Sequence, residues 1–267
     1  MAGFSILLPP SDEKVSGGNS LAPKMFDRRS SHTFNYFVGL NPERRQVVES
    51  LNTLGDAVDD LAALLDVSPD NVEHAVGCNT EVMTSPLMSA LDRYRPGVMY
   101  EALDFENLPT GAQRRLLEHG VIFSPLFGLL RPDDLIPEYY LSLAAELPDL
   151  GSIVDFWTPY VSKTLNDLLA GHFVWNLLPD RFGAFWDSDS RYEAHVDIEF
   201  YRKSKGKLTR IEEGVDEFRG KFVNTLVRGS ADSIESLTDF EEDSPLKVVD
   251  VSWDDNGRDG KIVVVPS

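Results

Sequence analysis

The sequence predicts an α/β or α+β domain in which helices flank a mixed β-sheet. Three observations support this class. Short apolar runs typical of strands alternate with helical patterns along the 267 residues without a fixed repeat, and no Gly/Ser-rich linker divides them. Hydrophobic residues make up 42% of the chain, which is ample material for one buried core. We therefore expect a single domain over residues 1–267.

The predicted strands are short apolar runs, with one that alternates. Residues 195–201 place Val196, Ile198 and Phe200 on one face and polar side chains on the other, the pattern of a half-exposed strand. Residues 208–212 should pair with it across a glycine-containing turn. The remaining strands are predicted at residues 4–8, 97–100, 121–124 and 173–178, with a C-terminal β-hairpin over 246–267.

Helices are predicted from apolar residues at helical spacing and from capping signals. Asn41 is a candidate N-cap before Pro42, and Val47 and Leu51 are four positions apart on one face. After the first strand, residues 18–95 should be mostly a helical insertion. The helices are predicted at residues 42–54, 57–65, 69–76, 86–94, 113–118, 156–170 and 217–227.

The charge balance limits the partners of this chain. It contains 25 Lys and Arg against 44 Asp and Glu, for a net charge of −19. A field of that sign repels phosphate backbones on average, so a site for a polyanion must be a local basic cluster. An acidic surface that aids solubility, or adaptation to a salty cytoplasm, is the simpler explanation of the surplus.

Several classes of protein and site are disfavoured by the sequence. No apolar run approaches the ~18 residues of a membrane helix, and no basic residue precedes the apolar N-terminal stretch; we expect a cytoplasmic protein with no membrane partner. Cys78 is the only cysteine, which rules out an intrachain disulfide and a Cys-rich zinc site; we expect a small buried side chain. Familiar nucleotide-binding, metalloprotease and hydrolase motifs are missing, so no cofactor and no metal are predicted and enzymatic activity is left open.

The strongest local basic feature lies between Arg202 and Arg228. Eight Lys or Arg stand there against four acids, a local net charge of +4. Within it, Lys203, Lys205 and Lys207 occupy a glycine-containing hairpin and can neutralise phosphates without reading bases. The alternative is an ordinary solvated turn.

Further candidates are polar side chains near predicted strand ends. Arg131 follows an apolar strand and turn and suits bidentate binding of phosphate or carboxylate; its alternative is an ion pair with a neighbouring acid. Lys14 lies in the loop after the first strand, where open α/β sheets bind ligands. Tyr100 and Asn176 can offer hydrogen bonds to a small ligand, or can be satisfied core groups.

A second group of candidates is the polar face of the alternating strand, where His195, Asp197 and Glu199 are two positions apart. Paired carboxylates can perform acid/base chemistry or bind Mg²⁺. The alternative is a solvent-facing set that pairs with adjacent Lys and Arg.

Six short segments, in order over residues 4–240, resemble the YaaA peroxide-stress family. They are Ile6–Lys14, Gly97–Leu103, Phe123–Asp134, Phe156–Trp157 with Leu165–Asn166, Asn176–Leu177 and Phe218–Gly220. The resemblance implies a fold of its own with a cleft lined by basic residues and a helix-hairpin-helix-like contact to DNA. It also implies a role in limiting iron-dependent damage during hydrogen peroxide stress. The chain departs from the family pattern at Pro125, at Tyr140 and at Asp216-Glu217, and the last two are positions where the family is usually basic.

Two functional hypotheses follow. The first is a DNA-binding protein of the oxidative stress response, and the second is an enzyme acting on a small anionic substrate, such as a nucleotide or nucleoside. The first uses the basic residues Lys14, Arg131, Lys203, Lys205, Lys207, Arg219 and Lys221 around one cleft. The second uses Lys14, Tyr100, Arg131, Asn176 and Arg219.

Overall fold

A mainly parallel β-sheet organises the protein in the computed structural model, which describes residues 3–22, 36–54, 60–239 and 244–267. The main strands are β1 (Gly3–Leu8), β3 (Gly120–Ser124), β4 (Gly128–Leu130), β8 (His172–Asn176), β9 (Ala194–Ser204), β10 (Lys207–Arg210), β11 (Leu246–Trp253) and β12 (Asp259–Pro266). Four two-residue strands form small separate sheets: β2 (Met88–Ser89), β5 (Leu135–Ile136), β6 (Glu146–Leu147) and β7 (Gly151–Ser152).

The eight-stranded sheet has the order β11-β12-β9-β8-β1-β3-β4, with β10 paired to β9 off this path. The five strands from β12 to β3 are parallel, while β11, β4 and β10 each pair antiparallel with a neighbour. This confirms the predicted α/β class with a mixed sheet. The pairing of β10 with β9 confirms the predicted partner of the alternating strand.

Helices flank this sheet. The described α-helices are α1 (Asn41–Asn52), α2 (Leu61–Leu65), α3 (Val72–Thr80), α4 (Ala90–Tyr94), α5 (Val98–Leu103), α6 (Thr110–His119), α7 (Ile153–Leu169) and α8 (Val215–Arg228). The predicted helix over 57–65 begins in residues outside the described part, and its described portion is α2. None of the helices in the described ranges is long and apolar enough to cross a membrane.

Two buried tryptophans mark the contacts between sheet and helices. Trp175 of β8 packs against Phe222 of α8, and its indole N–H donates to the carbonyl of Ala231 at 2.8 Å. Trp157 of α7 lies against Gly128, where φ is +70° and a Cβ would come within 2.9 Å of the indole ring. Only glycine fits that position, because both the backbone conformation and the space exclude a side chain.

One predicted strand is wrong. Residues 97–100 are not extended beyond Gly97, because Val98–Leu103 forms helix α5. Its buried residues Met99 and Leu103 are four apart and therefore share one face of the helix. This helix packs on α8 so closely that a Cβ on Gly220 would clash with the Met99 carbonyl. A four-residue apolar run does not distinguish these two outcomes.

Two other predicted helices have different bounds from those expected. The segment 86–94 starts as strand β2, paired with β5, and becomes helical only at Ala90, since Ser89 caps the helix by accepting a hydrogen bond from Asp92 N at 3.1 Å. Pro69–Asn71 is a 3₁₀ turn that precedes α3. Strand β4 was not predicted, because a Gly-Leu-Leu run within a turn has no periodic signal.

Candidate functional site

The loops that follow β1, β3 and β8 lie together at the carboxyl edge of the sheet, because these strands are adjacent and parallel. This is the edge at which open α/β sheets bind ligands. The loop after β1 is anchored by two buried side chains. Tyr100 donates its hydroxyl hydrogen to the Pro9 carbonyl at 2.7 Å. Arg93 donates to the carbonyls of Val15, Gly17, Pro86 and Ile136.

Anchored in this way, the loop places Lys14 over three tyrosine rings. Its ammonium is 4.8 Å from the ring centroid of Tyr139, 5.1 Å from that of Tyr140 and 6.0 Å from that of Tyr94. These distances are those of cation–π contacts. The Lys14 ammonium also donates to the Asp12 carbonyl at 3.2 Å, and among the described residues no carboxylate oxygen lies within 4 Å of it.

The surroundings of Lys14 disfavour its charge. Removal from water lowers its pKa to about 8, and the more distant carboxylates of Asp12, Asp66 and Glu138 only partly oppose this. The ammonium form therefore predominates at pH 7 and is lost a little above it. Such a lysine can bind an anion or exchange a proton near neutral pH.

Two of these tyrosines take part in a buried network of hydroxyl hydrogen bonds. The hydroxyls of Tyr94 and Tyr139 lie 2.6 Å apart, and that of Tyr139 is 2.9 Å from Ser124 Oγ. Ser124 Oγ also accepts a hydrogen bond from Phe127 N at 3.1 Å. Burial raises the pKa of Tyr139 to about 12, so the phenols stay neutral and the rings keep a fixed orientation.

A cavity of about 350 Å³ opens beside Lys14, and we call it the first cavity. Its volume lies within the range of small-ligand sites in proteins. Arg181 stands at its rim, 3.8 Å from the Asp12 carboxylate, and Asp66 also faces it. The apolar part of its wall is formed by Pro10, Pro125, Leu141, Leu143, Val154 and Phe182.

A second cavity, of about 380 Å³, lies beside the end of β8 and along the polar face of β9. Its charges are paired with one another. Glu199 accepts from Lys261 at 2.9 Å and from the Tyr201 hydroxyl at 3.0 Å, and it is 3.8 Å from Arg210. Arg210 in turn holds both carboxylate oxygens of Asp180 at 2.8 and 2.9 Å.

Other polar residues of the second cavity lie close to one another. Asn176 donates to Asp197 at 2.6 Å. The His195 ring lies 4.0 Å from Asp197 and 3.7 Å from Asp259, and its burial lowers its pKa although both carboxylates oppose that shift. For Glu199, these contacts favour the interpretation of pairing with neighbouring cations. Asp197 is held by the Asn176 amide, and among the described residues the buried His195 Nε2 has no hydrogen-bond partner.

The structure distributes the sequence-predicted site residues over several places. Lys14 faces the first cavity, while Asn176 and Arg219 face the second. Arg219 is paired with Asp216 at 2.6 Å. Tyr100 does not lie at a strand end as predicted; it is buried in α5, with its hydroxyl engaged by Pro9.

Arg131 lies at the opposite edge of the sheet. Strand β4 runs antiparallel to β3, so the residue after Leu130 returns to the amino end of β3. There the Arg131 guanidinium donates to the carbonyls of Glu118 and Gly120 at 2.9 and 3.1 Å. The alternative, an ion pair with a neighbouring acid, is not found among the described residues; only the Arg131 backbone N–H donates to Asp134, at 2.8 Å.

The basic residues of the cluster at 202–228 also lie in different parts of the structure. Lys221 pairs with Glu217. Lys203, Lys205 and Lys207 are exposed at the turn between β9 and β10. These side chains stand on a projecting hairpin and do not line the cavity that holds Lys14.

Residues that sequence reasoning missed include Arg93, Tyr139 and Arg181. Arg93 is fully buried and determines the path of the loop after β1, yet in the sequence it resembles any helical arginine. Tyr139 has no sequence signal beyond its place next to Tyr140. No local pattern distinguishes Arg181, whose position depends on the 3₁₀ turn Asp180–Phe185.

Comparison with known proteins identifies the family of the chain. A family model described as peroxide stress protein YaaA matches residues 4–245. The chain belongs to this family. The match spans the sheet up to β10 together with α8, and the family description associates its members with peroxide stress.

Named relatives of this YaaA-family chain are UPF0246 proteins. One from Streptomyces coelicolor is 27% identical over 259 residues, which cover 91% of this chain and 94% of the relative. One from Corynebacterium glutamicum is 34% identical over 167 residues, or 61% of this chain and 62% of that protein. One from Rickettsia bellii is 28% identical over 147 residues, or 54% and 59%.

Two of the segments that carry the family resemblance contribute to the carboxyl edge of the sheet. Ile6–Lys14 contains the end of β1 and the anchored loop, and Phe123–Asp134 contains β4 and the end of β3. The indole N–H of Trp157 donates to the Pro125 carbonyl at 2.7 Å and so fixes the loop after β3. Asn166 accepts from the Trp186 indole at 2.7 Å. The first of these contacts lies at the first cavity, which Pro125 lines, whereas Trp186 lines the second.

Proposed function

We propose that the protein binds a small anionic molecule in the first cavity, with Lys14 as its principal charged contact. The observation that carries this proposal is a cation held over three aromatic rings, beside a cavity, without a carboxylate partner within 4 Å among the described residues. An anionic group would neutralise the charge of the Lys14 ammonium. The surrounding loops supply backbone and side-chain groups from three strand ends.

The chemistry of the wall supports a ligand of nucleotide size or smaller. A phosphate or carboxylate would lie between Lys14 and Arg181, and Arg181 offers the planar donor set suited to such groups. An apolar or aromatic portion of the ligand would pack against Leu143, Val154 and Phe182. The net charge of −19 is compatible with this proposal, because a small ligand senses the local cations more than the distant surface.

The lowered pKa of Lys14 supports a catalytic role as well as binding. A group that titrates at about 8 can accept or donate a proton at neutral pH with little driving force against it. The proposal therefore includes an enzyme that acts on a nucleotide-like or other small anionic substrate, with Lys14 as the acid/base group. Arg181 would then be the positioning residue.

A thermal-shift screen with inorganic phosphate, pyrophosphate and nucleoside monophosphates tests this proposal. A ligand at 100 times its Kd stabilises the folded state by about 2.7 kcal/mol, which gives a clear rise in Tm. The rise should disappear in Lys14→Met and persist in Lys261→Met, which removes a paired lysine from the second cavity. A flat screen, or equal shifts in both variants, would contradict the proposal.

DNA binding through the β9–β10 hairpin is a second candidate function. The observation that favours it is the exposure of Lys203, Lys205 and Lys207, for which the described part of the chain offers no carboxylate within 4 Å. Three such contacts would give a salt dependence with a slope of about −3 on logarithmic axes. The contact would be a projecting turn, not a cleft.

Fluorescence anisotropy with duplex and branched DNA at about 50 mM salt tests this second candidate. Substituting the three hairpin lysines with alanine should abolish binding. A control triple variant, with alanine at Arg114, Lys163 and Lys247, removes the same charge from other exposed positions and should bind nearly as well as the wild type. Binding that falls equally in both variants would reflect overall charge and would exclude a hairpin site.

The proposed cellular role is defence against peroxide by limiting iron-dependent damage. It rests on family membership and is separate from the choice of ligand. Survival of a deletion strain in hydrogen peroxide, with and without a cell-permeable iron chelator, tests it. Complementation by Lys14→Met but not by the hairpin variant would link the role to DNA, and the reverse result would link it to the first cavity.

A further inference from the structure

A third cavity, of about 360 Å³, lies on the other side of the segment that holds the tyrosines. Residue Tyr139 faces the first cavity, whereas its neighbour Glu138 faces the third. The opposite wall is helix α3, from which His74 and Cys78 project. None of these three side chains lines the first cavity.

His74, Cys78 and Glu138 bring three different metal-binding atoms together. The His74 Nε2 atom is 3.5 Å from Cys78 Sγ and 2.8 Å from Glu138 Oε1. All three ligand atoms lie within 4.8 Å of one another. His74 and Cys78 are four positions apart on one helix, so their side chains project from the same face.

The carboxylate of Glu138 is held in place by its own partners. Ser16 and Tyr140 donate hydroxyl hydrogens to Glu138 Oε1 at 3.2 and 2.8 Å. The ring of Tyr140 also meets the His74 ring edge-on, with centroids 5.8 Å apart. Glu138 is buried, whereas His74 is exposed and Cys78 is half-buried, so the cluster can be reached from solvent. The sequence-based expectation of a small buried cysteine was therefore wrong.

The donor set matches a known class of metal site. Zinc sites that keep an open position use three protein ligands drawn from His, Cys and carboxylate, at about 2.0–2.3 Å from the ion. A tetrahedral arrangement at those lengths separates the ligand atoms by roughly 3.3–3.7 Å. The His74–Cys78 separation has this value already. The shorter His74–Glu138 contact is a hydrogen bond, which an ion would replace.

The same surroundings argue against a free nucleophilic thiolate. Burial and the adjacent Glu138 carboxylate raise the pKa of Cys78 to about 11. A reactive cysteine needs an electropositive setting that lowers its pKa. A cation between the thiol and the carboxylate would reverse that effect.

We propose that His74, Cys78 and Glu138 bind a thiophilic divalent cation such as Zn²⁺, with a fourth coordination position open toward the third cavity. The thiolate and imidazole favour such an ion over Mg²⁺ or Ca²⁺, which prefer oxygen ligands. Ser16 and Tyr140 would orient the carboxylate ligand. This site is separate from the hairpin and lies next to the Lys14 ammonium, with which it shares Tyr140: the ring of Tyr140 is beneath Lys14 and its hydroxyl donates to Glu138.

Titration of the full-length protein with Co²⁺ tests the proposal, because thiolate coordination to Co²⁺ gives a near-ultraviolet charge-transfer band. Cys78 is the only cysteine, so any such band reports on this residue. We expect the band to saturate at one equivalent, to be bleached by added Zn²⁺ and to be absent from Cys78→Ser. His74→Ala and Glu138→Gln should each weaken Co²⁺ binding by at least about tenfold.

Two controls keep the result interpretable. Glu81→Gln removes an acid that lines the same cavity but lies outside the cluster, so the band should be retained. The circular dichroism spectrum and Tm of every variant without metal show whether it folds; Tyr140→Phe, which keeps the ring, provides a milder test. A missing band in the folded wild type, or a band of unchanged affinity in both His74→Ala and Glu138→Gln, would overturn the proposal.

Discussion

The first and second cavities are nearly equal in volume and share Phe182 in their walls. However, Lys14 in the first cavity differs from the cations of the second in its partners. In the first, Lys14 has aromatic rings beneath it and no carboxylate within 4 Å among the described residues. In the second, the charged groups of Glu199, Lys261 and Arg210 are paired with one another. Adjacent residues of one 3₁₀ turn, Asp180 and Arg181, belong to the two different cavities.

This difference shows why counting charged residues does not locate a site. A paired network stabilises the fold and offers an incoming anion little, since its cations would have to leave their partners. A cation without a carboxylate partner contributes less to stability, but its electrostatic potential remains available to attract an anionic ligand. The contrast supports the first cavity as the proposed ligand site, although the second contains more cations.

The largest expected effect is on the free energy of unfolding, which should respond differently to substitutions in the two cavities. Glu199→Gln removes the carboxylate that joins Lys261, Arg210 and Tyr201, and it should lower the free energy of unfolding by about 1.5 kcal/mol. Lys14→Met should leave it unchanged within about 0.5 kcal/mol or raise it, because a poorly solvated charge is lost. Urea unfolding of both variants measures this. Equal destabilisation would mean that Lys14 is also a structural partner.

The next effect concerns pH. Burial lowers the pKa of Lys14 to about 8, so the ammonium that we propose as the anion contact is lost as pH rises through 8. Affinity for an anionic probe should be constant below pH 7 and fall about tenfold per pH unit above 8. Isothermal titration calorimetry between pH 6 and 10 measures it.

Lys14→Arg provides the matched control for this pH dependence. Its guanidinium stays charged over the whole range, so its affinity should not fall in the same way. A wild-type affinity that is flat to pH 10 would show that the Lys14 ammonium is not the contact, or that its pKa is ordinary.

The smallest effect tests the internal balance of the second cavity. Burial lowers the pKa of His195, while the carboxylates of Asp197 and Asp259 oppose this shift. Asp259→Asn removes one of them at 3.7 Å and should lower the pKa further, by at least about half a unit. NMR titration of the imidazole measures it, with His172, whose ring is hydrogen-bonded to Ser5, as an internal control. A rise in the pKa of His195 would contradict the charge balance described for this cavity.

The sequence by itself determined the features that depend on local periodicity. The buried run of β1, the alternation of Val196, Ile198 and Phe200 in β9 and the apolar faces of α7 and α8 predict their elements, because side-chain spacing reflects local geometry. The α/β class follows from the order of those elements. The sequence also placed Lys14 at the carboxyl edge of the sheet, since a loop that follows a parallel strand begins there.

Only the tertiary structure decided which polar groups meet. Gly97–Tyr100 had no periodicity to mark it as helical, and its packing on α8 determined the outcome. The position of Arg131 depended on the antiparallel return of β4, and the pairing of Glu199 on its neighbour β12. His74 and Glu138 are 64 residues apart and meet at 2.8 Å. Side-chain partners are set by the register and packing of distant segments, which composition and spacing along the chain do not encode.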